Sequence, residues 1–150
     1  MATINLALNV QVVGGPKVLI SKSKSVQAYD KIEVSIAADG MAKSVEVQPG
    51  DAADVSFLLI QSSVYSSDLK YFANNGINET DVNNSATLDL DEPHLYWGKG
   101  AISALGVAPK ILKFTNNSGE DAAIAILVGR DAVSDPDPVP DPVPDPVPDP

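Results

Sequence analysis

Strict alternation marks the stretch Ile4-Asn5-Leu6-Ala7-Leu8-Asn9-Val10-Gln11-Val12, in which every second residue is apolar and the others are small or polar. Successive side chains of a β-strand point to opposite faces, so a period of two predicts a strand with one apolar face. We expect that face to be buried and the other to be solvated. Gly14-Gly15-Pro16 follows directly and is expected to end the strand.

Related patterns recur along the rest of the chain. Ile32, Val34 and Ile36 alternate with polar residues, and Asp39-Gly40 after them predicts a hairpin to a partner strand within residues 41–47. Residues 55–60 and 122–128 are apolar on both faces, which predicts central strands. Further strands are expected at residues 17–20, 69–72, 87–90, 95–97 and 111–115, with a solvated turn or edge at residues 22–25, a long surface loop at residues 74–85 and a hairpin loop at residues 116–119.

Eight to ten short strands separated by turn signals indicate an all-β fold. We predict an antiparallel β-sandwich, jelly-roll-like or immunoglobulin-like, formed by residues 1–134. Helix is expected only as a turn or two at residues 51–55 or 66–73. The chain has no cysteine, so it lacks the cysteine pair of a true immunoglobulin domain.

Residues 135–150 consist only of Asp, Pro and Val and form a second region, called the tail below. Every second residue is proline, which predicts an extended polyproline II C-terminal arm of roughly 50 Å. Two interpretations stay open, an acidic spacer and a strap that contacts neighbouring subunits. For the strap, the expected assembly contacts are Asp135, Pro136, Asp137, Pro138, Val139 and Pro140.

Charge and hydropathy argue against several classes of function. The chain has 20 acidic and 10 basic residues, a formal net charge of −10, which disfavours nucleic acid and anionic membranes as partners. Thr3, Asn5, Asn9 and Gln11 interrupt the first apolar region, so neither a signal peptide nor a membrane span is predicted. We therefore expect synthesis in the cytoplasm.

Catalytic chemistry has little support in the sequence. His94 is the only histidine, there is no cysteine, and no Gly-x-Ser-x-Gly elbow accompanies it. The carboxylates within residues 89–92 do not have the spacing of a calcium loop. We predict that the protein is not an enzyme and assign no catalytic, cofactor-binding or metal-ligating residue.

The group His94, Tyr96 and Trp97 admits two interpretations. The three side chains are a possible core or subunit interface, or a platform on which a sugar ring stacks. The strands that are apolar on both faces raise a related question. In a chain with no helix to cover them, they need either a complete sandwich or neighbouring subunits.

The chain resembles the cement or decoration proteins of tailed-bacteriophage capsids in its general character. The likeness is carried by the Ile4–Val12 strand, by Phe114-Thr115-Asn116-Asn117-Ser118-Gly119, by Ile126-Leu127-Val128-Gly129-Arg130-Asp131 and by the tail. The resemblance implies a homotrimer on the capsid surface of the virion that contacts the major capsid protein and stiffens the shell. It transfers no functional residue. The alternative class is a carbohydrate- or surface-binding module with the tail as its spacer.

Overall fold

The computed structural model describes residues 1–77 and 85–131. Within these ranges it contains ten β-strands, one short helix and two 3₁₀ turns. The strands are β1 (Ala2–Gln11), β2 (Lys17–Val26), β3 (Ala28–Ile36), β4 (Lys43–Glu46), β5 (Val55–Ser62), β6 (Leu69–Asn74), β7 (Leu88–Asp89), β8 (His94–Trp97), β9 (Ile111–Asn116) and β10 (Ala122–Arg130). The helix α1 is Lys99–Ile102, and the 3₁₀ turns are Ala52–Asp54 and Ser103–Leu105.

Eight of the strands pair from the outside of the sequence inward. β3 pairs with β10, β4 with β9, β5 with β8 and β6 with β7, all antiparallel. The first sheet has the order β3-β10-β5-β8 and the second sheet the order β4-β9-β6-β7. The predicted all-β, antiparallel, sandwich-like architecture is confirmed, and β5 and β10 are central strands of the first sheet, as their sequences indicate.

The core lies between the two sheets and is formed by alternate residues of each strand. Leu58, Ile60 and Ile126 of the first sheet and Leu112 and Phe114 of the second are completely buried. Their neighbours along each strand point to the outer faces, because strand side chains alternate. Val45 and Val47, which alternation predicts to face inward, are buried as expected.

Both predicted hairpins are wrong in their pairing. Asp39-Gly40 joins β3 of the first sheet to β4 of the second, and residues 116–119 likewise join β9 to β10 across the sandwich. The two connections hold each other: the Gly40 amide donates to the Asn116 carbonyl at 3.1 Å, and the Asn116 side-chain amide donates to the Ile36 carbonyl at 3.1 Å. Turn residues predict that the chain reverses, but not which strand it then joins.

Helix occurs partly where expected. Residues 52–54 form a 3₁₀ turn capped by Asp51, whose carboxylate accepts from the Ala53 amide at 2.9 Å. Residues 66–73 are mainly strand instead of helix, because β6 is held between β9 and β7. The turns over residues 99–105 were not predicted from their Gly, Ala and Ser content. Most of the predicted loop at residues 74–85, and the tail, lie outside the described residues.

The remaining two strands, β1 and β2, form a separate two-stranded sheet. They pair over their whole length, from Ala2 opposite Val26 to Gln11 opposite Lys17, and we call this unit the projecting hairpin. The predicted burial of its apolar face is wrong beyond Leu6, because the distal half extends past the sandwich and has nothing over it. Residues 22–25, predicted as a turn or edge, lie inside β2.

Candidate functional site

The structure divides the aromatic group predicted from the sequence between two faces of β8. His94 and Tyr96 lie opposite Ile60 and Leu58 in the β5–β8 register, and so they point into the sandwich. There the buried Tyr71 hydroxyl lies 2.5 Å from His94 Nδ1 and 2.6 Å from the Tyr96 hydroxyl. The three side chains form a hydrogen-bonded cluster between the sheets.

The electrostatics of this cluster favour the neutral form of its two tyrosines. Burial raises the pKa of the Tyr71 hydroxyl well above its usual range, and the hydrogen bond and charge interaction with Tyr96 raise it further. Burial also raises the pKa of Tyr96, while its hydrogen bond to Tyr71 acts in the opposite direction. Because a buried tyrosine that resists ionisation is a poor base and nucleophile, we interpret the cluster as a structural clasp between β6 and β8.

Trp97 lies on the opposite, outer face of the first sheet. Its ring meets Phe57 edge-on, with ring centroids 5.5 Å apart and an interplanar angle of 84°. Trp97 is half-buried, whereas Phe57 is only 3% exposed. The structure therefore does not place His94, Tyr96 and Trp97 on a common surface.

Phe57 belongs to the contact that holds the base of the projecting hairpin on the first sheet. Beneath it lies Gly129, where a Cβ would be 2.9 Å from Ile4 Cδ1 and 3.2 Å from Phe57 Cβ and from Val26 Cγ1. Such separations are shorter than a carbon–carbon contact, so only glycine lets Ile4 and Val26 approach β10 this closely. The apolar face of β1 is therefore packed against β10 at the N-terminal end of the strand.

The same face continues outward without cover. Ile4 and Leu6 are half-buried, but Val10 is 50% exposed and Val18, opposite it on β2, is 54% exposed. Residues opposite each other in an antiparallel pair share a face of the sheet. The uncovered face of the projecting hairpin comprises Leu8, Val10, Val18 and Ile20.

The charges of the molecule are unevenly distributed around this face. The projecting hairpin carries Lys17, Lys22 and Lys24 and no acidic residue, and all 20 acidic residues follow it in the chain. Lys22 and Lys24 lie opposite Leu6 and Ile4, so they flank the apolar face near its base. A basic, apolar hairpin is therefore attached to an acidic body.

Asp131, the last described residue, lies at the base of the hairpin. Its amide donates to the Asp54 carbonyl at 2.8 Å, and its carboxylate accepts from the Ser56 hydroxyl at 2.7 Å. The same carboxylate is 3.8 Å from Lys24 Nζ and 3.9 Å from Lys99 Nζ. The chain therefore leaves the body beside a lysine of the hairpin, while the predicted tail contacts Asp135 to Pro140 lie outside the described residues.

Two further kinds of site are absent from the described ranges. No three His, Cys, Asp or Glu side chains among residues 1–77 and 85–131 are grouped to hold a metal ion. Within the same ranges, no helix combines the length and apolar character needed to cross a membrane. Of the acidic run at residues 89–92, Asp89 forms an ion pair with Lys70, and Asp91 lies 4.0 Å from His94 Nε2.

Comparison with known proteins does not assign the chain to a family. No protein-family model matches the chain, and no significant match was found among the curated proteins or the solved structures.

Sequence reasoning missed the residues that the structure makes most conspicuous. It placed the apolar face of Leu8 and Val10 inside the molecule and assigned no role to Val18 or Ile20. The sequence gives no signal for this exposure, because the apolar alternation of residues 4–12 is the same in the half-buried and in the exposed half of β1.

Proposed function

We propose that the protein is a non-enzymatic structural protein that self-associates and stabilises a shell, in the manner of a capsid cement or decoration protein. One observation carries the proposal: the uncovered apolar face of the projecting hairpin. Contiguous exposed apolar surface is disfavoured in water and commonly marks a contact with another macromolecule. The partners that follow are other copies of this chain, with a trimer expected, and a shell protein.

The form of the hairpin supports assembly over catalysis. Its strands are ten residues long, and at about 3.3 Å per residue each spans roughly 33 Å. Such a unit presents the distal face, from Leu8 to the turn, beyond the edge of its own sandwich. Several such contacts made at once in a lattice add up to stable attachment although each is weak.

We further propose that the body is a jelly roll. Its eight strands pair inward from β3 with β10 to β6 with β7, and the pairs alternate between the sheets. This order supports the nested Greek keys of a jelly roll over an immunoglobulin-like order. Jelly rolls occur in viral capsid proteins and in lectins, so this likeness is compatible with a shell function but does not distinguish it from sugar binding.

The sugar-binding alternative has less support. A stacking platform needs exposed rings, and in the aromatic group that suggested one, His94 and Tyr96 turn toward Tyr71 while Trp97 packs against Phe57. We therefore do not advance a carbohydrate site. The proposal rests on the uncovered face alone and does not require the tail as an assembly contact.

The test is the mass of the full chain by light scattering over a concentration series, beside two charge variants. Val10→Asp places a carboxylate on the uncovered face, and Asn9→Asp places the same group on the opposite face one residue away. We expect a defined oligomer for the full chain and for Asn9→Asp, and a monomer for Val10→Asp. Circular dichroism checks that both variants stay folded. A full chain that is monomeric throughout the series, or equal masses for the two variants, would contradict the proposal.

A further inference from the structure

We propose that the tail docks along the uncovered apolar face of the projecting hairpin in its own molecule. The occupant is the Asp/Pro/Val segment of residues 135–150. The inference rests on the proposed function in one respect, since the face that the tail covers is the face proposed for assembly. The sequence left open a strap that contacts neighbouring subunits. Here the tail instead covers the face in its own molecule, and a neighbouring subunit must displace it.

The first argument is where the chain leaves the body and in which direction. β10 runs along β3 toward the hairpin, from Ala122 opposite Ile36 to Arg130 opposite Ala28. At its end the Gln27 amide, which directly follows β2, donates to the Arg130 carbonyl at 2.8 Å. The chain that continues from Asp131 therefore starts at the hairpin base and is already heading outward.

Length is the second argument. From Ile4, where the hairpin touches the body, to Val10 is about 20 Å along the strand. A polyproline II chain that starts at Asp131 covers about 25 Å by Val139. The tail thus reaches the middle of the uncovered face with its first third and has enough length to continue to the turn.

The third argument is chemical complementarity. The hairpin face presents apolar side chains bordered by Lys22 and Lys24, and the tail alternates Val and Pro with Asp. Valine and proline remove apolar surface from water on such a face, while the aspartates meet the lysines. The Lys24–Asp131 approach of 3.8 Å is the first contact of this kind, made before the tail begins.

The proline content makes such docking inexpensive in entropy. A polyproline II chain is already extended, so it loses little conformational freedom when it lies along a surface. Attachment at the hairpin base also gives the tail an effective concentration in the millimolar range over its own hairpin. The tail therefore covers the face when the protein is dilute. In a shell, where many copies lie close together, a neighbouring copy replaces the tail on this face.

The absence of native cysteine allows a direct test by disulfide trapping in the full chain. The double variant Val10→Cys/Val139→Cys places one thiol on the uncovered face and one in the tail. The matched control Asn9→Cys/Val139→Cys moves the first thiol to the opposite face of the same strand, at a position that is also exposed. Both are oxidised at the lowest concentration of the light-scattering series and separated on a non-reducing gel.

We expect the Val10 variant to form a disulfide within one chain about tenfold faster than the Asn9 control, because docking concentrates the tail on one face. Changing Lys22 and Lys24 to Glu in the same background should reduce this preference. Equal rates for the two faces would overturn the inference, and so would a disulfide that mainly joins two chains, because it would assign the tail to a neighbour's hairpin.

A second measurement separates this inference from the proposed function. If the tail covers the assembly face, a chain that ends at Ser134 should associate at lower concentration than the full chain. The disulfide of the Val10→Cys/Val139→Cys variant should block association until it is reduced. If the disulfide forms within one chain but the full chain is monomeric at every concentration, the docked tail is supported and the assembly proposal is contradicted. Association that weakens after truncation at Ser134 would retain assembly and contradict the cover.

Discussion

The centre of the first sheet and the projecting hairpin are built from the same residue types in opposite environments. Ile60 and Ile126, which lie opposite each other on β5 and β10, are completely buried. Val10 and Val18, which lie opposite each other on β1 and β2, are about half exposed. Alternation determines which side chains share a face, but the cover over that face comes from the rest of the fold or from another molecule.

The two regions should therefore differ in what holds them. Strands of the body are fixed by packing between sheets, since each central strand buries a full row of side chains. The hairpin is fixed by its ladder and by the small contact at Gly129, so its distal half contributes little to the folding free energy. Under the proposed function, the distal half contributes through contact with a partner instead.

The largest difference should appear when a side chain is truncated in each region. Leu58→Ala removes a fully buried side chain and should lower the free energy of unfolding by about 2–5 kcal/mol, from lost burial and the cavity left behind. Val10→Ala, on the hairpin, should change it by less than about 0.5 kcal/mol. Urea unfolding of the two variants, each made in a chain that ends at Ser134 so that the tail cannot cover Val10, measures the contrast at a concentration where both are monomeric. Similar losses would show that the body itself covers the distal half of the hairpin more completely than the exposure of Val10 indicates.

The clasp at Tyr71 should give an intermediate effect with its own pH signature. Tyr71→Phe removes the hydroxyl shared by His94 and Tyr96 and leaves two polar atoms to find other partners, a loss of roughly 1–3 kcal/mol. The pKa of Tyr71 is raised in the folded state, so the unfolded chain loses its proton first. The stabilising contribution is complete below the ordinary tyrosine pKa of about 10 and declines as the pH rises above it.

Unfolding experiments from pH 8 to 11 measure this dependence. The free energy of unfolding should fall above about pH 10 in the natural chain and fall less steeply in Tyr71→Phe. The exposed Tyr29 provides a matched control, because Tyr29→Phe removes a hydroxyl from the hairpin-proximal end of β3 without touching the clasp. Identical slopes for Tyr71→Phe and the natural chain would contradict the role of burial at Tyr71.

Much of the body could be predicted from local pattern. The strands at residues 55–60 and 122–128 were recognised as central because both of their faces are apolar, which is a property of the strand itself. The inward direction of Val45 followed from alternation in the same way. These features depend only on residues that are close together in the sequence, so they could be predicted from it.

Pairing and cover could not be predicted in this way. Asp39-Gly40 has the chemistry of a hairpin turn, yet β4 pairs with β9, some seventy residues distant in sequence, and β3 pairs with β10 in the other sheet. The candidate site depends on the same non-local information. No feature of residues 4–12 alone indicates that β3 continues into the body while β1 and β2 extend beyond it.

An effect smaller than those at Leu58 and Tyr71 is expected at the boundary between the two regions, and it determines whether they are mechanically linked. Gly129→Ala places a methyl group against Ile4, Phe57 and Val26, where separations of 2.9–3.2 Å leave no room for it. Overpacking of this kind costs typically 1–3 kcal/mol, and the flexible Ile4 Cδ1 lies nearest, so we expect a value near 1 kcal/mol. Gly100→Ala is the control, since a Cβ there meets no atom within 4 Å.

Two of the three side chains that this methyl group meets, Ile4 and Val26, belong to the hairpin, so its base should shift while the core stays in place. Trp97, the only tryptophan, packs on Phe57 and reports that shift through its fluorescence. We expect a changed emission maximum in Gly129→Ala, an unchanged one in Gly100→Ala, and altered self-association only in the former. Unchanged fluorescence with full association would mean that the hairpin is oriented by its partners instead of by the body, which would separate the two regions completely.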